Sequence, residues 1–68
     1  MIKVEKNYSF LGWFKIYFSG VLIDEVLGSE TALECALNIA RENEMHYIYF
    51  IDDIIDVENT PSLILAQN

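Results

Sequence analysis

Two strand-like segments joined by Ser19-Gly20 constrain the fold of this chain more than any other feature. Residues 13–18 and 21–27 are rich in aromatic and β-branched side chains, which is typical of strands. A Ser-Gly pair is a turn signal, and a two-residue loop predicts a tight antiparallel hairpin. An unbroken register pairs Phe18 with Val21, Tyr17 with Leu22, Ile16 with Ile23, Lys15 with Asp24, Phe14 with Glu25 and Trp13 with Val26.

An amphipathic segment follows the hairpin and predicts a helix over about residues 30–43. Ser29 is the expected N-cap, with a capping box of Thr31 and Glu34 one turn later as the alternative. Asn43 is expected to end the helix, because asparagine tolerates the left-handed conformation of a C-cap. The apolar side chains that share one arc of this helix are Ala32, Leu33, Ala36, Leu37, Ile39 and Ala40.

Three further segments complete the expected sheet. Residues 2–6 alternate in polarity and predict a short edge strand, whereas residues 46–51 are apolar on both faces and predict a central strand. Residues 54–58 predict another short strand or a turn, and the apolar residues 62–66 a last edge strand or a segment packed on the core. The sequence therefore predicts one α+β domain over residues 1–68. Its antiparallel sheet has three to five strands in the order β-β-β-α-β(-β), with the helix on one face.

The composition exceeds what a domain of this size can hide. Hydrophobic residues make up 53% of only 68 residues, and a chain this short buries about 60% of its unfolded surface. Exposed apolar patches usually mark an interface, and oligomerisation stabilises small scaffolds, so we expect a homo-oligomer, most simply a dimer. Cys35 and His46 are the only residues of their types. Because structural zinc needs four such ligands, we expect neither a metal nor a cofactor.

The sheet face away from the helix is the first candidate site. A single helix covers one side of a sheet, so the aromatic side chains of the other side are left without cover. The alternative is that residues 54–66 fold over this face and complete the core. Tyrosine and tryptophan are enriched at binding hot spots. The residues expected on the face are Trp13, Tyr17, Leu22, Val26, Tyr47 and Tyr49, and all but Val26 are predicted to bind a partner.

The charge distribution suggests the second candidate site. The formal net charge is −7, and it is uneven: residues 1–20 carry three lysines against Glu5, whereas residues 21–68 carry Arg41 against ten acids. We therefore expect no direct nucleic-acid binding, which relies on basic groups, and an attraction to basic proteins instead. The alternative is that the acids only keep the protein soluble. The predicted acidic surface consists of Glu30, Glu34, Glu42, Glu44, Asp52, Asp53, Asp56 and Glu58.

Two short patterns suggest chemistry, and both have a simpler interpretation. Residues 52–56, Asp-Asp-Ile-Ile-Asp, resemble the magnesium-diphosphate motif of prenyl synthases over five residues. That motif belongs to a long helix of a large helical enzyme, whereas here it follows a strand, so an acidic turn is favoured. A Cys35–His46 pair would lack a third positioned group and an oxyanion site. We therefore expect a protein that is not an enzyme.

The order of hairpin, helix and strand over about residues 1–50 is similar to that of HicB-type antitoxins and of several small bacterial and phage domains, which implies fold more than function. We predict a small acidic protein that binds and inhibits or modulates a basic protein, of the phage or mobile-element type. Alternatives are a structural homo-oligomer joined by its aromatic face, an antitoxin-like partner of a toxin and, least favoured, a metal-binding or catalytic protein. Neither an export signal nor a membrane span is recognisable, so we expect a cytoplasmic protein.

Overall fold

A computed structural model describes residues 1–60 and shows a five-stranded sheet with one helix packed on it. The strand order across the sheet is β3-β2-β1-β4-β5. The predicted α+β class and element order are therefore confirmed, although the sheet is mixed because β1 and β4 run parallel. The elements are β1 (Ile2–Lys6), β2 (Trp13–Phe18), β3 (Val21–Leu27), α1 (Ser29–Glu42), β4 (Tyr47–Phe50) and β5 (Asp53–Asp56).

Strand β1 lies at the centre of the sheet, so its prediction as an edge strand was wrong. It pairs with β2 on one side and with β4 on the other. Helix α1 is the reason, because it carries the chain from β3 back across the sheet and returns β4 beside β1. Ile2 and Val4 are fully buried under the helix. The interior position predicted for β4 is confirmed, since β4 lies between β1 and β5.

The β2–β3 hairpin turns where the sequence predicts and then departs from the predicted register. Ser19 and Gly20 both have positive φ, as a two-residue hairpin loop requires. The pairs Phe18–Val21 and Tyr17–Leu22 are confirmed, but a bulge between Ile16 and Tyr17 shifts every later pair by one residue. The observed pairs are Ile16 with Asp24, Lys15 with Glu25, Phe14 with Val26 and Trp13 with Leu27.

This bulge changes which side chains of β3 face the helix. In the unbroken register, Glu25 would share the helix side of the sheet with Phe14. The bulge leaves Ile23 without an opposite residue, places Asp24 opposite Ile16 and brings Val26 beside Phe14. Val26 therefore packs against the core, and its predicted place on the opposite face was wrong. The position it was predicted to take opposite Trp13 belongs to Leu27.

Helix α1 covers the sheet with the predicted apolar arc. Ala32, Ala36, Leu37 and Ala40 are fully buried, and Leu33 and Ile39 pack against them. Their partners in the sheet include Ile16 and Ile48, and the rings of Phe14 and Phe50 stack at 6.3 Å between centroids. The core is thus a single layer between one helix and one face of the sheet.

The N-cap of α1 differs from the predicted residue, whereas the C-cap is the predicted Asn43 in another conformation. Gly28, with φ 95°, takes the N-cap position, and Ser29 is the first helical residue, with no side-chain cap. At the other end, the Asn43 side chain donates to the carbonyl of Ile39 at 2.8 Å. Asn43 has φ −105°, and the left-handed residue is Glu44 instead. Asn43 is thus the predicted C-cap residue in a different conformation, whereas the N-cap lies one residue before the predicted Ser29.

The described chain ends on the helix side of the molecule. After a turn at residues 51–52, the predicted short strand is present as β5, and the Val57 amide donates to the carbonyl of His46. The carbonyl of Thr60 then accepts a hydrogen bond from the Arg41 guanidinium on α1. The predictions for residues 62–66 lie outside the described residues.

Candidate interaction surface

The sheet face opposite α1, called the open face below, carries a row of large side chains. Residues directly opposite each other in a sheet point to the same face. The pairings join one residue from each of the five strands, so the row crosses the whole sheet. We call it the aromatic row, and it consists of Leu22, Tyr17, Lys3, Tyr49 and Ile54.

All five residues predicted to bind a partner lie on the open face. Tyr17, Leu22 and Tyr49 belong to the aromatic row, and Tyr47 lies two residues before Tyr49 on β4, opposite Asp56. Trp13 is the first residue of β2 and lies opposite Leu27. Their common face follows from the pairings, whereas their role in binding stays a prediction.

A second row across the open face is charged. Glu25, Lys15 and Glu5 lie side by side on β3, β2 and β1, with alternating sign. Next to them, Lys3 Nζ lies 2.9 Å from Glu5 Oε1, and this hydrogen bond and charge raise the pKa of Lys3. Such exposed ion pairs contribute little stability. The charged row instead divides the open face into two apolar areas.

The second apolar area is built on the β1–β2 connection. Tyr8, Phe10 and Leu11 are exposed there. Tyr8, Leu11 and Trp13 line one cleft, and Trp13 lies opposite Leu27 on the open face. A Cβ added to Gly12 would meet the Leu27 side chain at 3.4 Å, so Leu27 leans over the connection. We call the five residues Tyr8, Phe10, Leu11, Trp13 and Leu27 the loop patch. The sequence offered one signal for it: Tyr8 and Phe10 are large residues for a turn.

The connection is held in a defined shape by Asn7. Its buried Oδ1 accepts hydrogen bonds from the amides of Ser9, at 2.9 Å, and Phe10, at 3.2 Å. Its own amide donates to the carbonyl of Trp13, and the Trp13 amide donates to the carbonyl of Phe10. The exposed apolar side chains of the loop patch are therefore displayed by a structured turn.

The predicted acidic surface is separate from the aromatic row. Glu30 and Glu42 lie on the outer side of α1, across the molecule from the open face. The prediction that Glu34 is on the surface was wrong: it is buried, because position 34 borders the apolar arc, three residues before Leu37. Asp56 is half-buried and shares the open face with Tyr47. The remaining predicted acids are exposed, namely Glu44, Asp52, Asp53 and Glu58.

The carboxylates of residues 52–56 do not form a diphosphate motif. Asp53 and Asp56 are three residues apart on β5, so they point to opposite faces. The Asp56 carboxylate accepts hydrogen bonds from the Glu58 amide at 3.0 Å and the Asn59 side chain at 2.8 Å. Within residues 1–60, no group of three His, Cys, Asp or Glu side chains is placed to hold a metal ion.

Cys35 and His46 have different partners. The Cys35 Sγ lies 4.0 Å from Asp24 Oδ2, and burial together with the Asp24 charge raises the pKa of the thiol. A thiol with a raised pKa is a weak nucleophile near neutral pH. The His46 ring lies 3.1 Å from Glu58 on the surface. The geometry therefore offers no cysteine–histidine dyad.

Both edges of the sheet are protected against pairing with another strand. On β3, the bulge distorts the ladder, and the Asp24 carboxylate accepts the Glu25 amide at 2.8 Å. On the other edge, β5 is only four residues long and begins and ends with aspartate. Short, bulged or charged edges are the usual means by which sheets avoid edge-to-edge association. The open face is thus a better candidate for binding than either edge.

Comparisons with known proteins add no family. No protein-family model matches the chain, and neither a curated protein nor a solved structure matches it. The similarity to HicB-type antitoxins therefore stays at the level of element order. In the part of the chain that the structure describes, no helix is both long and apolar enough to cross a membrane.

Proposed function

We propose that this protein is a small acidic protein-binding module that inhibits or modulates a partner protein by covering part of its surface. The observation that carries the proposal is the aromatic row, which crosses all five strands on the face that α1 leaves open. Exposed apolar surface of this kind is characteristic of interaction sites, and tyrosine is enriched at binding hot spots.

The construction of the aromatic row favours tight binding. Tyr17 and Tyr49 are half-buried on internal strands and flank Lys3, whose ammonium lies beside the Glu5 carboxylate. Leu22 and Ile54 are more exposed and extend the row to both edges of the sheet. Side chains on a rigid sheet lose little conformational freedom on binding, which lowers the cost of association.

The course of the chain after β5 supports an open binding face. The predicted alternative places residues 54–66 over this face. Residues 53–56 instead form the edge strand, and the Thr60 carbonyl bonds to Arg41 on the helix side. For residues 57–60, this path runs away from the aromatic row.

The acidic residues suggest the chemistry of the partner. A net charge of −7 steers association toward a basic surface, such as that of a protein that binds nucleic acid. Glu30 and Glu42 lie across the molecule from the aromatic row. They therefore affect the rate at which the partner associates more than the contacts in the complex. The proposed inhibitor thus uses charge for its rate of binding and apolar contact for its affinity.

Affinity capture from the native cell, followed by calorimetry with the purified partner, tests this function. We expect Ile54→Ser or Leu22→Ser to weaken the binding of that partner at least about tenfold, because each removes one exposed apolar anchor. Val21→Ser is the matched control, because Val21 is equally exposed but faces the helix side. Equal affinity for the wild type and both row variants would contradict the proposal.

A further inference from the structure

We propose that the loop patch is the contact between two copies of this chain, which form a two-fold symmetric dimer. This assigns the subunit contact to the β1–β2 connection rather than to the aromatic row, where the sequence alone would place it. The inference stands independently of the partner-binding function, because the charged row separates the two apolar areas.

The side chains of the loop patch are exposed to solvent in the monomer. The exposed fractions are 93% for Tyr8, 64% for Phe10, 100% for Leu11, 39% for Trp13 and 58% for Leu27. The buried Asn7 side chain accepts two hydrogen bonds that hold the β1–β2 connection in one shape. A structured turn that presents large apolar groups to solvent is what a contact surface requires.

The area of the loop patch matches that of a dimer interface. With about 200 Å² for a whole aromatic side chain and about 100 Å² for a leucine, the exposed fractions leave roughly 550 Å² of surface, most of it apolar. A standard interface buries about 800 Å² per partner, of which about 65%, or roughly 520 Å², is apolar in homodimers. A second copy of the patch therefore supplies a complement of the required size.

The charge distribution also favours the loop patch as the contact between two identical molecules. Each copy carries a net charge of −7, so most approaches bring like charges together. A two-fold contact places the same patch on both sides. Around the loop patch, Lys6 lines the adjoining cleft and Lys15 follows Trp13 along β2. Lys3 and Asp52 line a second cleft beside Tyr8. The three lysines balance Glu5, Glu25 and Asp52, so the charges around the patch cancel and two patches meet without net repulsion.

Sedimentation equilibrium of the full chain from about 1 µM to about 1 mM tests the proposal. We expect the wild type to dimerise within this range and Leu11→Ser to raise the dimer Kd about a hundredfold, since both copies lose a leucine worth about tenfold. Leu11 is fully exposed, so its replacement leaves the fold intact. Ile54→Ser, an exposed apolar change in the aromatic row, is the matched control and should leave the Kd within about twofold.

Backbone amide shifts recorded over the same concentrations locate the contact. We expect the amides of residues 8–13 and of Leu27 to shift on dilution, while that of Ile54 does not. A wild type that stays monomeric at about 1 mM overturns the proposal, as does a dimer that Ile54→Ser weakens as much as Leu11→Ser. A monomer whose residues 8–11 bind phosphatidylcholine vesicles also overturns it and assigns the loop patch to a lipid surface.

Discussion

The Asn7 side chain offers a sharp test of how the β1–β2 connection is built. Asn7→Ala removes the acceptor of two amide hydrogen bonds, from Ser9 and Phe10, at a position that is only 8% exposed. Each lost bond costs about 1 kcal/mol, so we expect the free energy of unfolding to fall by about 2 kcal/mol. For a small domain with a stability of about 5–15 kcal/mol, that is a substantial fraction.

Urea denaturation followed by the fluorescence of Trp13 and by circular dichroism measures this loss. Asn7→Asp keeps an oxygen in the accepting position, so we expect it to retain most of the stability at neutral pH. Ser9→Ala keeps the backbone donor and controls for changes in the turn itself. A cost below about 0.5 kcal/mol for Asn7→Ala, or equal destabilisation by Asn7→Asp and Asn7→Ala, would show that the two hydrogen bonds do not stabilise the connection.

Four further predictions concern the core, the Cys35 thiol and the acidic residues of α1. Leu37→Ala should lower the free energy of unfolding by about 3 kcal/mol in urea denaturation, because it opens a cavity between α1 and the sheet. The thiol of Cys35 should react slowly with iodoacetamide at pH 8, and Asp24→Asn should speed the reaction, because it removes a charge that raises the pKa. Since the pKa of Cys35 is raised by folding, the folded state holds its proton more firmly. Stability should therefore fall as pH rises past the ordinary thiol range, and Cys35→Ala should lessen that fall in denaturation curves. Glu30→Lys combined with Glu42→Lys should slow association with a basic partner at low salt and leave dissociation unchanged, which surface plasmon resonance can measure.

Local signals in the sequence predicted local structure well. The Ser19-Gly20 turn and the helix following Gly28 depend on residues close in the chain, and both are present. The register of β3 depends on which side chains the helix can accept. The choice between Val26 and Glu25 on the helix side is made by packing against α1, so the unbroken register failed.

The position of β1 was mispredicted for a related reason. Lys3 and Glu5 alternate with apolar residues, which is typical of a strand with one solvated face. That pattern suggested an edge, yet the same pattern suits the centre of a sheet that is covered on one side only. The alternation thus indicates how many faces of the strand are covered, whereas its position in the sheet depends on the course of the whole chain.

The candidate site was predicted in part. The face shared by Tyr17, Leu22 and Tyr49 followed from alternation along strands, which is a regular signal. The loop patch was missed as a surface because Tyr8, Phe10 and Leu11 lie in an irregular connection without periodicity. The separation of the aromatic row from the acids of α1 also required the fold, because it depends on which side of the sheet the helix covers.

Cross-saturation of methyl groups on the isotope-labelled protein maps the surface that the partner contacts. We predict that the methyl groups of Leu22 and Ile54 lose intensity when the bound partner is irradiated, whereas those of Val21 and Leu33 keep it. Val21 faces the helix side, and Leu33 packs in the helix layer. Loss of intensity at Val21 and Leu33, with Leu22 and Ile54 unchanged, would contradict a partner-binding role for the open face.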